Sequence, residues 1–518
     1  GWQASWVRDN TGLEVQRTFS GGVTVRTERD RFGHEVCKSV RARGIERGAY
    51  RYEWGIANRL LAKENELTGT LMRYDYDRFD FLIRQETTNG SETDVIYRVP
   101  DFVGNLFETP ERKDRKYGAG GRLLEDPSSF YHYDDEGNLV FREFKELQDN
   151  AVPHDRKRME KERGIRCRAT GMGWLYEWAS NGMLKKVIRP DGRPVEFRYD
   201  ALGRRTAKRY FGKVTRWVWD GNVPIHEWCY KAIGIQSNEE ENIPPKEPAE
   251  DITTWVFEAG TFVPAAKIQN GKQYSIVSDY MGTPIQMYDG QGNKAWDCTL
   301  DIYGKVLAVD KGTEFDCPFC MQGMYVDCEL DGLYYNRFRW YDSNIGIYIS
   351  QDPIGLASNT PTLYAYVFNT SDQVDIWGLI ILYHAGNLHG NINLKKGRLN
   401  LDFNPSGKGG FYTTTDLSQA QEWAKSKGYK KIAVFDIPDE KLATLKIKTF
   451  DAKTDEWTDF VTKGRAGTLS HDFDAVSGPY FKKKKNGEIR ALGNQFAIFS
   501  DKAAKLFDEH KIDTIDYH

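Results

Sequence analysis

The chain has 518 residues, of which 40% are hydrophobic and 13% aromatic, and its formal net charge is −3. This length allows several domains, or one large repeat body followed by a smaller domain. No stretch approaches the roughly 20 apolar residues of a membrane-spanning helix, so no membrane span is expected. The 48 glycines and the many aromatic residues favour strands and turns, and the larger part is predicted to be all-β.

The charge is distributed unevenly along the chain. Residues 380–518 hold 22 Lys and Arg against 18 Asp and Glu, a balance of +4. Subtraction from the totals of 72 and 75 leaves 50 against 57, or −7, for residues 1–379. An acidic body therefore carries a mildly basic tail, which could aid contact with an anionic target but does not identify one.

The first part of the chain repeats a loose unit: an aromatic-rich strand, a glycine-centred turn, another strand and a Tyr-Asp-x-x-Gly tag. The clearest copy runs from Trp174 to Arg204, and related tags begin at Tyr133 and Tyr288. Such turns with alternating flanks are typical of hairpins whose aromatic face points inward. One unit cannot bury that face alone, so neighbouring units are expected to stack into a long winding sheet. An ordinary β-sandwich is the alternative.

Because Gly1 and Trp2 read as the middle of a repeat, we expect a C-terminal piece of a longer protein.

Seven cysteines all precede residue 380, and their odd number argues against a complete set of disulfides. Cys317 and Cys320, with Cys328 eight residues on, are spaced like part of a zinc knuckle, but a fourth ligand at a suitable spacing is lacking. We therefore predict reduced structural thiols and no metal.

Two similar tags lie 23 positions apart, Asp352-Pro353-Ile354-Gly355-Leu356 and Asp375-Ile376-Trp377-Gly378-Leu379. Together with the run from Gly332 to Asp342, they resemble the Rhs/YD-repeat family, and in particular the motif that terminates its repeat core. The resemblance implies a spiral, cage-like β shell at residues 1–350, a core-terminating autocleavage segment at 351–379 and an enclosed toxin domain at 380–518.

The resemblance also implies that the two tag aspartates, Asp352 and Asp375, cut the Leu379–Ile380 bond. Two close carboxylates cannot both ionise cheaply, so one can donate a proton while the other activates water. Simple turn formation is the alternative. Ile376 stands where the family usually has proline, and the freer loop could slow the cut.

The tail is predicted to be a small α+β domain. A strand is expected to end at His384, and a glycine-rich stretch then precedes a helix that includes residues 419–424. Strands are expected at 431–436, near 445–450 and at 495–500, followed by a last helix over 501–510. Trp423 is expected in the core, and residues 482–485, four lysines, in a solvated loop.

His384, the Gly-Phe-Tyr-Thr-Thr run that contains Tyr412, and the strand that starts at Gln495 resemble the ADP-ribosyltransferase fold in its His-Tyr-Glu branch. The resemblance implies NAD as the substrate. His384 would hydrogen-bond a ribose hydroxyl and Tyr412 would stack on the nicotinamide. Gly409 and Gly410 would let the backbone approach the dinucleotide closely, because no Cβ intrudes.

Gln495 departs from that pattern, since it occupies the position of the usual glutamate. An amide can hold a ribose hydroxyl, but it supplies no negative charge to an oxocarbenium-like transition state. Glu488 or Glu422 could take over that role. Gln495 is nevertheless kept as the third predicted catalytic residue, beside His384 and Tyr412.

These resemblances together imply a polymorphic toxin that is made in the bacterial cytoplasm, secreted as an effector and delivered into a competitor cell. Its tail would transfer ADP-ribose from NAD to a macromolecular acceptor, either protein or RNA. A secretion apparatus, such as type VI machinery, and a cognate immunity protein are the implied partners. Three alternatives stay open: an NAD glycohydrolase, a nucleic-acid-targeting toxin without NAD chemistry in which the lysine run dominates, and an adhesive surface protein with an inert tail.

Overall fold

The computed structural model describes the chain except for residues 11, 233–247, 314, 353–361, 368, 376–381, 387–390, 398, 415–416, 436–444, 451–454, 484–488, 510 and 517–518. The chain divides into two compact units. The shell unit comprises Gly1–Gln351 and Pro361–Gly378, and the tail unit comprises Asp352–Thr360 and Leu379–His518.

The shell begins with a nine-stranded sheet in which each strand pairs with the next strand along the chain. Every pairing in it is antiparallel. The strands are β1 (Ala4–Arg8), β2 (Glu14–Phe19), β3 (Val23–Arg29), β4 (Glu35–Ala42), β5 (Ile45–Trp54), β6 (Leu60–Asn65), β7 (Thr70–Tyr76), β8 (Leu82–Asn89) and β9 (Glu92–Tyr97).

After the short pair β10 (Val99–Pro100) and β11 (Leu106–Phe107), a sixteen-stranded sheet continues the same order. Its strands are β12 (Lys116–Tyr117), β13 (Leu123–Glu125), β14 (Ser129–Tyr133), β15 (Leu139–Phe144), β16 (Gly173–Trp178), β17 (Leu184–Ile188), β18 (Pro194–Tyr199), β19 (Arg205–Tyr210), β20 (Lys213–Asp220), β21 (Val223–Lys231), β22 (Thr253–Phe257), β23 (Pro264–Gln269), β24 (Lys272–Ser278), β25 (Pro284–Asp289), β26 (Lys294–Leu300) and β27 (Val306–Lys311). An α-helix, α1 (Arg156–Arg163), lies between β15 and β16. These long antiparallel sheets confirm the predicted mainly β body.

A recurrent aspartate closes the hairpin turns. The Oδ1 atom of Asp200 accepts hydrogen bonds from the N–H groups of Leu202 and Arg204, both at 2.9 Å. The same two bonds, to the residues two and four positions on, recur at Asp30, Asp77, Asp101, Asp279, Asp289 and Asp301. The residue three positions after the aspartate is a glycine with positive φ in all of these turns except the one at Asp77. There Asp80 takes the position, with φ 70°. The tag is thus a side-chain-capped turn with a left-handed residue.

Aromatic residues near the ends of several strands bond to the first residue of the preceding strand. The Tyr199 hydroxyl, at the end of β18, donates to the carbonyl of Leu184, the first residue of β17, at 2.8 Å. Tyr76 on Leu60, Trp54 on Glu35, Trp178 on Leu139 and Trp219 on Arg205 repeat this relation. Each ring therefore buries its apolar body and still satisfies its polar atom.

The aromatic-rich segment at residues 332–348, which begins with the run from Gly332 to Asp342, lies in the interior of the shell unit. It contributes to a four-stranded sheet whose strands are β28 (Tyr325–Val326), β29 (Leu333–Asn336), β30 (Arg339–Asp342) and β31 (Ile347–Tyr348). Trp340, Tyr341 and Tyr348 are at most 1% exposed. Strands buried on both faces lose the apolar/polar alternation, which explains the near-continuous aromatic sequence of this segment.

A buried charge cluster connects β19 to the segment around residue 327. Asp327 pairs with Arg205 and, at 2.6 Å, with Lys208, which also contacts Glu329 at 2.6 Å. Burial opposes ionisation of Asp327, yet the two cations hold its pKa below the ordinary value. The Arg205 guanidinium also lies 4.2 Å from the centre of the Trp217 ring. Cations enclosed in this way depend on their partner, because an unpaired buried charge is costly.

The tail unit contains two small sheets and three α-helices among its described residues. One sheet has the order β32 (Leu382–Ala385), β34 (Lys431–Phe435) and β38 (Lys511–Asp516). The other has the order β33 (Phe411–Thr413), β37 (Ile489–Ile498), β36 (Ala475–Lys483) and β35 (Ile447–Thr449). The helices are α2 (Leu417–Lys427), α3 (Asp455–Ala466) and α4 (Asp501–Glu509). A β-bridge between Tyr383 and Thr414 joins the first sheet to the second.

Apolar side chains pack helices on both tail sheets. Phe435, Phe496 and Phe507 belong to one core between β34, β37 and α4. Phe403 and Trp457 belong to a second core under α3. The predicted small α+β domain is therefore present, and none of the described helices is both long and apolar enough to span a membrane.

Candidate functional site

A cleft of the tail, with a volume of about 690 Å³, opens where β32, β33 and α2 meet. This size suits a nucleoside-sized ligand. Its wall combines ring faces, amide groups and one imidazole, and the carboxylate of Asp402 also lines it. The residues that carry them are Tyr383, His384, Asn391, Asn393, Phe411, Tyr412, Gln419, Trp423, Tyr429 and Gln495.

His384 stands on β32 and its ring is fixed on two sides. It stacks on Phe411 with ring centres 4.0 Å apart. Its Nδ1 atom lies 2.7 Å from the main-chain oxygen of Tyr412. Burial lowers the pKa of His384 to about 4. The contact with the Tyr412 carbonyl acts in the opposite direction, because it favours the protonated ring, but its effect is smaller. At neutral pH the ring is therefore uncharged, and since a carbonyl can only accept, Nδ1 carries the hydrogen and Nε2 is the acceptor.

Tyr412 is held by polar contacts at its hydroxyl. The hydroxyl donates to the Oδ1 atom of Asn404 at 2.6 Å and accepts from the N–H of Phe403 at 2.9 Å. Burial raises the pKa of Tyr412 well above its ordinary value. Its ring lies parallel to that of Phe403, with centres 6.4 Å apart. Tyr412 is thus a rigid part of the pocket wall.

Gln495 is buried on β37 and donates from Nε2 to Oδ2 of Asp402 at 2.9 Å. The other oxygen of Asp402 accepts from Nε of Arg465 at 2.6 Å. An ionised carboxylate is acceptor-only, so the amide nitrogen of Gln495, and not its oxygen, faces Asp402. Sequence reasoning missed Asp402 and Arg465, because the two lie 63 positions apart and each reads alone as an ordinary surface charge.

The two predicted glycines differ in their surroundings. Gly410 lines the pocket. A Cβ at Gly409 would clash with the main-chain oxygens of Leu394 and Gly397, and one at Gly410 would lie 2.5 Å from the Phe499 ring. Close chain packing inside the tail is therefore sufficient to require glycine at both positions.

Trp423 corrects one expectation. It was expected in the core, but it is 38% exposed and lines the pocket from α2. On this helix Ala420 and Ala424 occupy the buried positions, which places Trp423 on the flank of the buried face.

Several other predicted residues contribute no described side chain. Glu488 lies outside the described residues, and so does the side chain of Glu422 on α2. In the lysine run, residues 482 and 483 continue the backbone of β36, whereas 484 and 485 lie outside the described part.

The two tag aspartates, Asp352 and Asp375, lie in different surroundings. The Oδ2 atom of Asp375 accepts from Nη2 of Arg339 at 2.9 Å and from the hydroxyl of Tyr348 at 2.7 Å. Asp352 is buried, with 4% exposure. Ile376 and the Leu379–Ile380 bond lie outside the described residues. Of the three cysteines of the possible zinc knuckle, Cys317 and Cys320 are buried and Cys328 is exposed.

Comparison with known families gives three matches. A model described as a teneurin YD-shell matches residues 246–374, and one described as an RHS repeat matches residues 180–215. A third, a protein family of unknown function (DUF3990), matches residues 380–506.

Several curated relatives are similar over most of the chain. Double-stranded DNA deaminase toxin A of Burkholderia cenocepacia is 29% identical over 74% of this chain and 26% of its own length. Probable deoxyribonuclease RhsB of Dickeya dadantii is 28% identical over 72% of this chain and 24% of its own. Toxin protein Tse5 of Pseudomonas aeruginosa is 28% identical over 65% and 26%. These findings support the Rhs/YD-repeat family of polymorphic toxins. The chain spans about a quarter of the length of these relatives.

The expectation of an NAD-dependent ADP-ribosyltransferase is contradicted. The relatives are named as a DNA deaminase toxin and as probable deoxyribonucleases, and none of these names describes an NAD-dependent transferase. The amide at Gln495 agrees with this correction, because it gives a ribose cation no negative charge. The expected NAD substrate belonged to that activity and stays an untested prediction.

Proposed function

We propose that this chain is part of an Rhs-family toxin whose tail acts on DNA by a hydrolytic reaction in the pocket around His384. The observation that carries the proposal is the neutral imidazole in a nucleoside-sized cleft lined by aromatic rings. The names of the relatives direct the substrate class to DNA, and the net positive charge of the tail favours a polyanion.

The ring faces offer stacking surfaces for a base. Trp423 is exposed enough to receive one, and Phe411 and Tyr383 line the same cleft. Stacking of this kind contributes about 1–3 kcal/mol per base and tolerates every base, since each has a π face. A base drawn into the cleft would bring its nucleotide next to His384.

His384 is proposed as the general base. Its Nε2 would take a proton from an attacking water while the water oxygen forms the new bond to the attacked substrate atom. The bond between that atom and the leaving group would break, and the leaving group would receive the proton from Nε2. The Tyr412 carbonyl would hold the ring in the required tautomer. The tail has no cysteine, so a zinc centre with cysteine ligands of the kind used by zinc-dependent nucleobase deaminases does not fit it.

Release of the tail by cleavage after Leu379 completes the proposed function. Asp352 and Asp375 are proposed to cut the Leu379–Ile380 bond. Support comes from the burial of Asp352 and from the contact of the partly buried Asp375 with Arg339, which favours the ionised form of Asp375. The ionised carboxylate would activate water, and Asp352 would supply the proton.

Delivery into another cell is proposed as well. Relatives named as toxins support a secreted effector with a secretion apparatus and a cognate immunity protein as partners. An immunity protein that covers the pocket would protect the producing cell.

The test is incubation of the full chain with end-labelled double-stranded DNA, single-stranded DNA and RNA of one sequence. Strand cleavage is read on denaturing gels and base conversion by mass spectrometry. We expect one of these changes on DNA, and we expect it to fall by about 10² to 10⁴-fold in His384→Ala. His471→Gln is the matched control, because His471 is the tail's other described histidine and does not line the pocket.

Two outcomes would overturn the proposal. One is DNA that stays unchanged in chains shown by mass spectrometry to be cut after Leu379. The other is a DNA change that persists at full rate in His384→Ala.

A further inference from the structure

Asp375 is held by polar contacts at its main chain as well as at its carboxylate. Its N–H donates to the Tyr366 hydroxyl at 3.3 Å, and its main-chain oxygen accepts from Nδ2 of Asn336 at 2.7 Å. Its Oδ2 atom accepts from the Tyr348 hydroxyl at 2.7 Å and from Nη2 of Arg339 at 2.9 Å. These partners lie 9 to 39 positions before Asp375, so the tertiary fold of the shell sets the place of this carboxylate.

The direction of these hydrogen bonds follows from the groups that can only accept. An ionised carboxylate and a main-chain carbonyl have no hydrogen to donate. The Tyr348 hydroxyl therefore donates its one hydrogen to Asp375 and accepts from Nδ2 of Asn336, which lies 2.7 Å away. The second hydrogen of that Nδ2 goes to the main-chain oxygen of Asp375. A reversed Asn336 amide would place its Oδ1 against that oxygen, so one orientation satisfies the whole chain of contacts.

Asn336 and Tyr348 are rigid parts of the interior. Both are fully buried, at the last positions of β29 and β31. Burial and the neighbouring Asp375 carboxylate raise the pKa of Tyr348 well above its ordinary value, so its hydroxyl keeps the hydrogen that it donates. The Arg339 guanidinium lies 3.7 Å from the centre of the Tyr348 ring. Buried hydrogen bonds to a charged group are stronger than exposed ones, and here they fix one carboxylate.

We propose that Tyr348 and Asn336 are positioning residues for the cleavage after Leu379. Tyr348 holds the carboxylate of Asp375, and Asn336 holds both the Tyr348 hydroxyl and the main chain of Asp375. This inference rests on the proposed autocleavage, since it names the groups that orient its base.

Neither positioning residue gives up a proton in the proposed step. The water oxygen bonds to the carbonyl carbon of Leu379 and one water proton goes to Asp375. The C–N bond to Ile380 then breaks, and the Ile380 nitrogen receives a proton from Asp352.

Loss of the Tyr348 hydroxyl has two opposite effects on the rate of this step. Without that donor the Asp375 carboxylate is a stronger base, but one unit of basicity speeds proton transfer by at most about tenfold. A reacting group misplaced by about 1 Å costs about 100-fold. Slower cleavage is therefore the expected net result.

The test is the time course of cleavage in the full chain after a short labelled pulse of cell-free synthesis. Intact mass follows the appearance of the fragment that begins at Ile380. Tyr348→Phe removes one hydroxyl and keeps the ring beside Arg339, and we expect it to slow cleavage about 10- to 100-fold at neutral pH.

The pH profile of the rate separates positioning from general damage. Loss of a donor favours the protonated form of a carboxylate, so the acidic limb in Tyr348→Phe should reach half-maximum about one pH unit higher than in the wild type. Arg339, Tyr348 and Tyr366 are the titratable groups in the described contacts of Asp375, and the variant leaves Arg339 and Tyr366 unchanged.

Tyr341→Phe is the matched control. Tyr341 is equally buried on the neighbouring strand β30, and its hydroxyl donates to the main-chain oxygen of Tyr303 at 2.8 Å. We expect the two variants to lower the urea midpoint of the shell to a similar extent. Only Tyr348→Phe should change the cleavage rate and its pH profile.

Asn336→Leu tests the second positioning residue. It keeps a side chain of similar size but removes both donors, and we expect cleavage to slow at least about tenfold. Because Asn336 acts partly through Tyr348, the double variant should lose less than the product of the two single effects. A loss equal to that product would contradict this coupling.

Failure of the inference is distinguishable from failure of the proposed function. A wild-type chain that stays uncut would overturn the proposed cleavage and the inference with it. A wild-type chain that is cut, with Tyr348→Phe at the same rate and pH profile, would overturn the inference alone. Equal slowing by Tyr341→Phe would also overturn it, because damage to packing would then explain both variants. The DNA reaction proposed at His384 is unaffected by any of these results.

Discussion

The imidazole of His384 donates from Nδ1 to the main-chain oxygen of Tyr412 at 2.7 Å. This bond joins the end of β32 to β33 and sets the tautomer of the ring. The pocket therefore contains an accepting nitrogen whose direction is determined by the backbone and not by a mobile side chain. Such preorganisation is what a general base requires.

The low pKa of His384 predicts a specific pH dependence. Its ordinary value of 6.5 falls to about 4, mainly through burial, so the ring stays neutral over most of the working range. We expect the rate on DNA to be flat from neutral pH to about pH 5 and to fall about tenfold per pH unit below about pH 4. Initial rates in overlapping buffers measure this. A rate that halves near pH 6.5 would contradict it.

The free energy of unfolding of the tail should depend on pH through the same histidine, His384. The unfolded chain binds the proton more readily than the folded one, so the stability is fully present above pH 6.5 and is lost as pH falls toward 4. Urea unfolding of the tail between pH 7 and pH 4 measures this loss. In His384→Gln the pH-dependent part contributed by this ring should disappear.

Gly409 tests whether the glycine run serves packing or ligand approach. A Cβ there would clash with main-chain oxygens, so Gly409→Ala is expected to destabilise the tail by about 1–3 kcal/mol. Gly407→Ala is the control, because φ is +72° there but the space is open, and about 1 kcal/mol is expected. Urea unfolding gives both values. Wild-type stability in Gly409→Ala with lost DNA binding would instead favour ligand approach.

Asp327 tests the buried charge cluster of the shell. Asp327→Asn leaves Arg205 and Lys208 without their shared anion, and we expect a loss of about 3–5 kcal/mol in the unfolding free energy of the shell. Denaturant unfolding followed by tryptophan fluorescence measures it. Asp220→Asn, an exposed residue at a strand end, should change little. Equal unfolding midpoints for the two variants would show that the cluster does not stabilise the shell.

A substitution of Asp375 tests the proposed autocleavage after Leu379. Asp375→Asn is expected to slow cleavage after Leu379 by at least about 100-fold, since a neutral amide cannot take a proton from water. Intact-mass measurement over time follows the fragment that begins at Ile380. Asp372→Asn, three residues earlier and exposed, is the control. Cleavage at the same rate in both variants would assign the tag aspartates to turn formation alone.

The shell could be predicted well because its signals are local. The tag at Tyr199 and Asp200 contains the capping aspartate, the left-handed glycine and the aromatic residue that bonds the neighbouring strand, all within five residues. Short-range chemistry of this kind is visible in sequence without any knowledge of the tertiary fold.

The tail was predicted less completely, and the omissions have physical reasons. Helix α3 contains Gly464, which weakens a helical pattern but allows close approach to the backbone at Asp402. Strand β36 contains Gly478 and Pro479, which usually end a strand. The site itself depends on Asp402, Gln495 and Arg465, whose contacts form only when distant segments meet.

The most direct test of the account is photocrosslinking of the full chain to single-stranded DNA that carries 5-iododeoxyuridine at successive positions, followed by mass spectrometry of the joined peptides. The account predicts crosslinks to the aromatic lining of the pocket, Trp423, Phe411 or Tyr412, that disappear when unlabelled DNA competes. Crosslinks confined to residues outside the pocket, or none at any position, would contradict the claim that the tail binds DNA there.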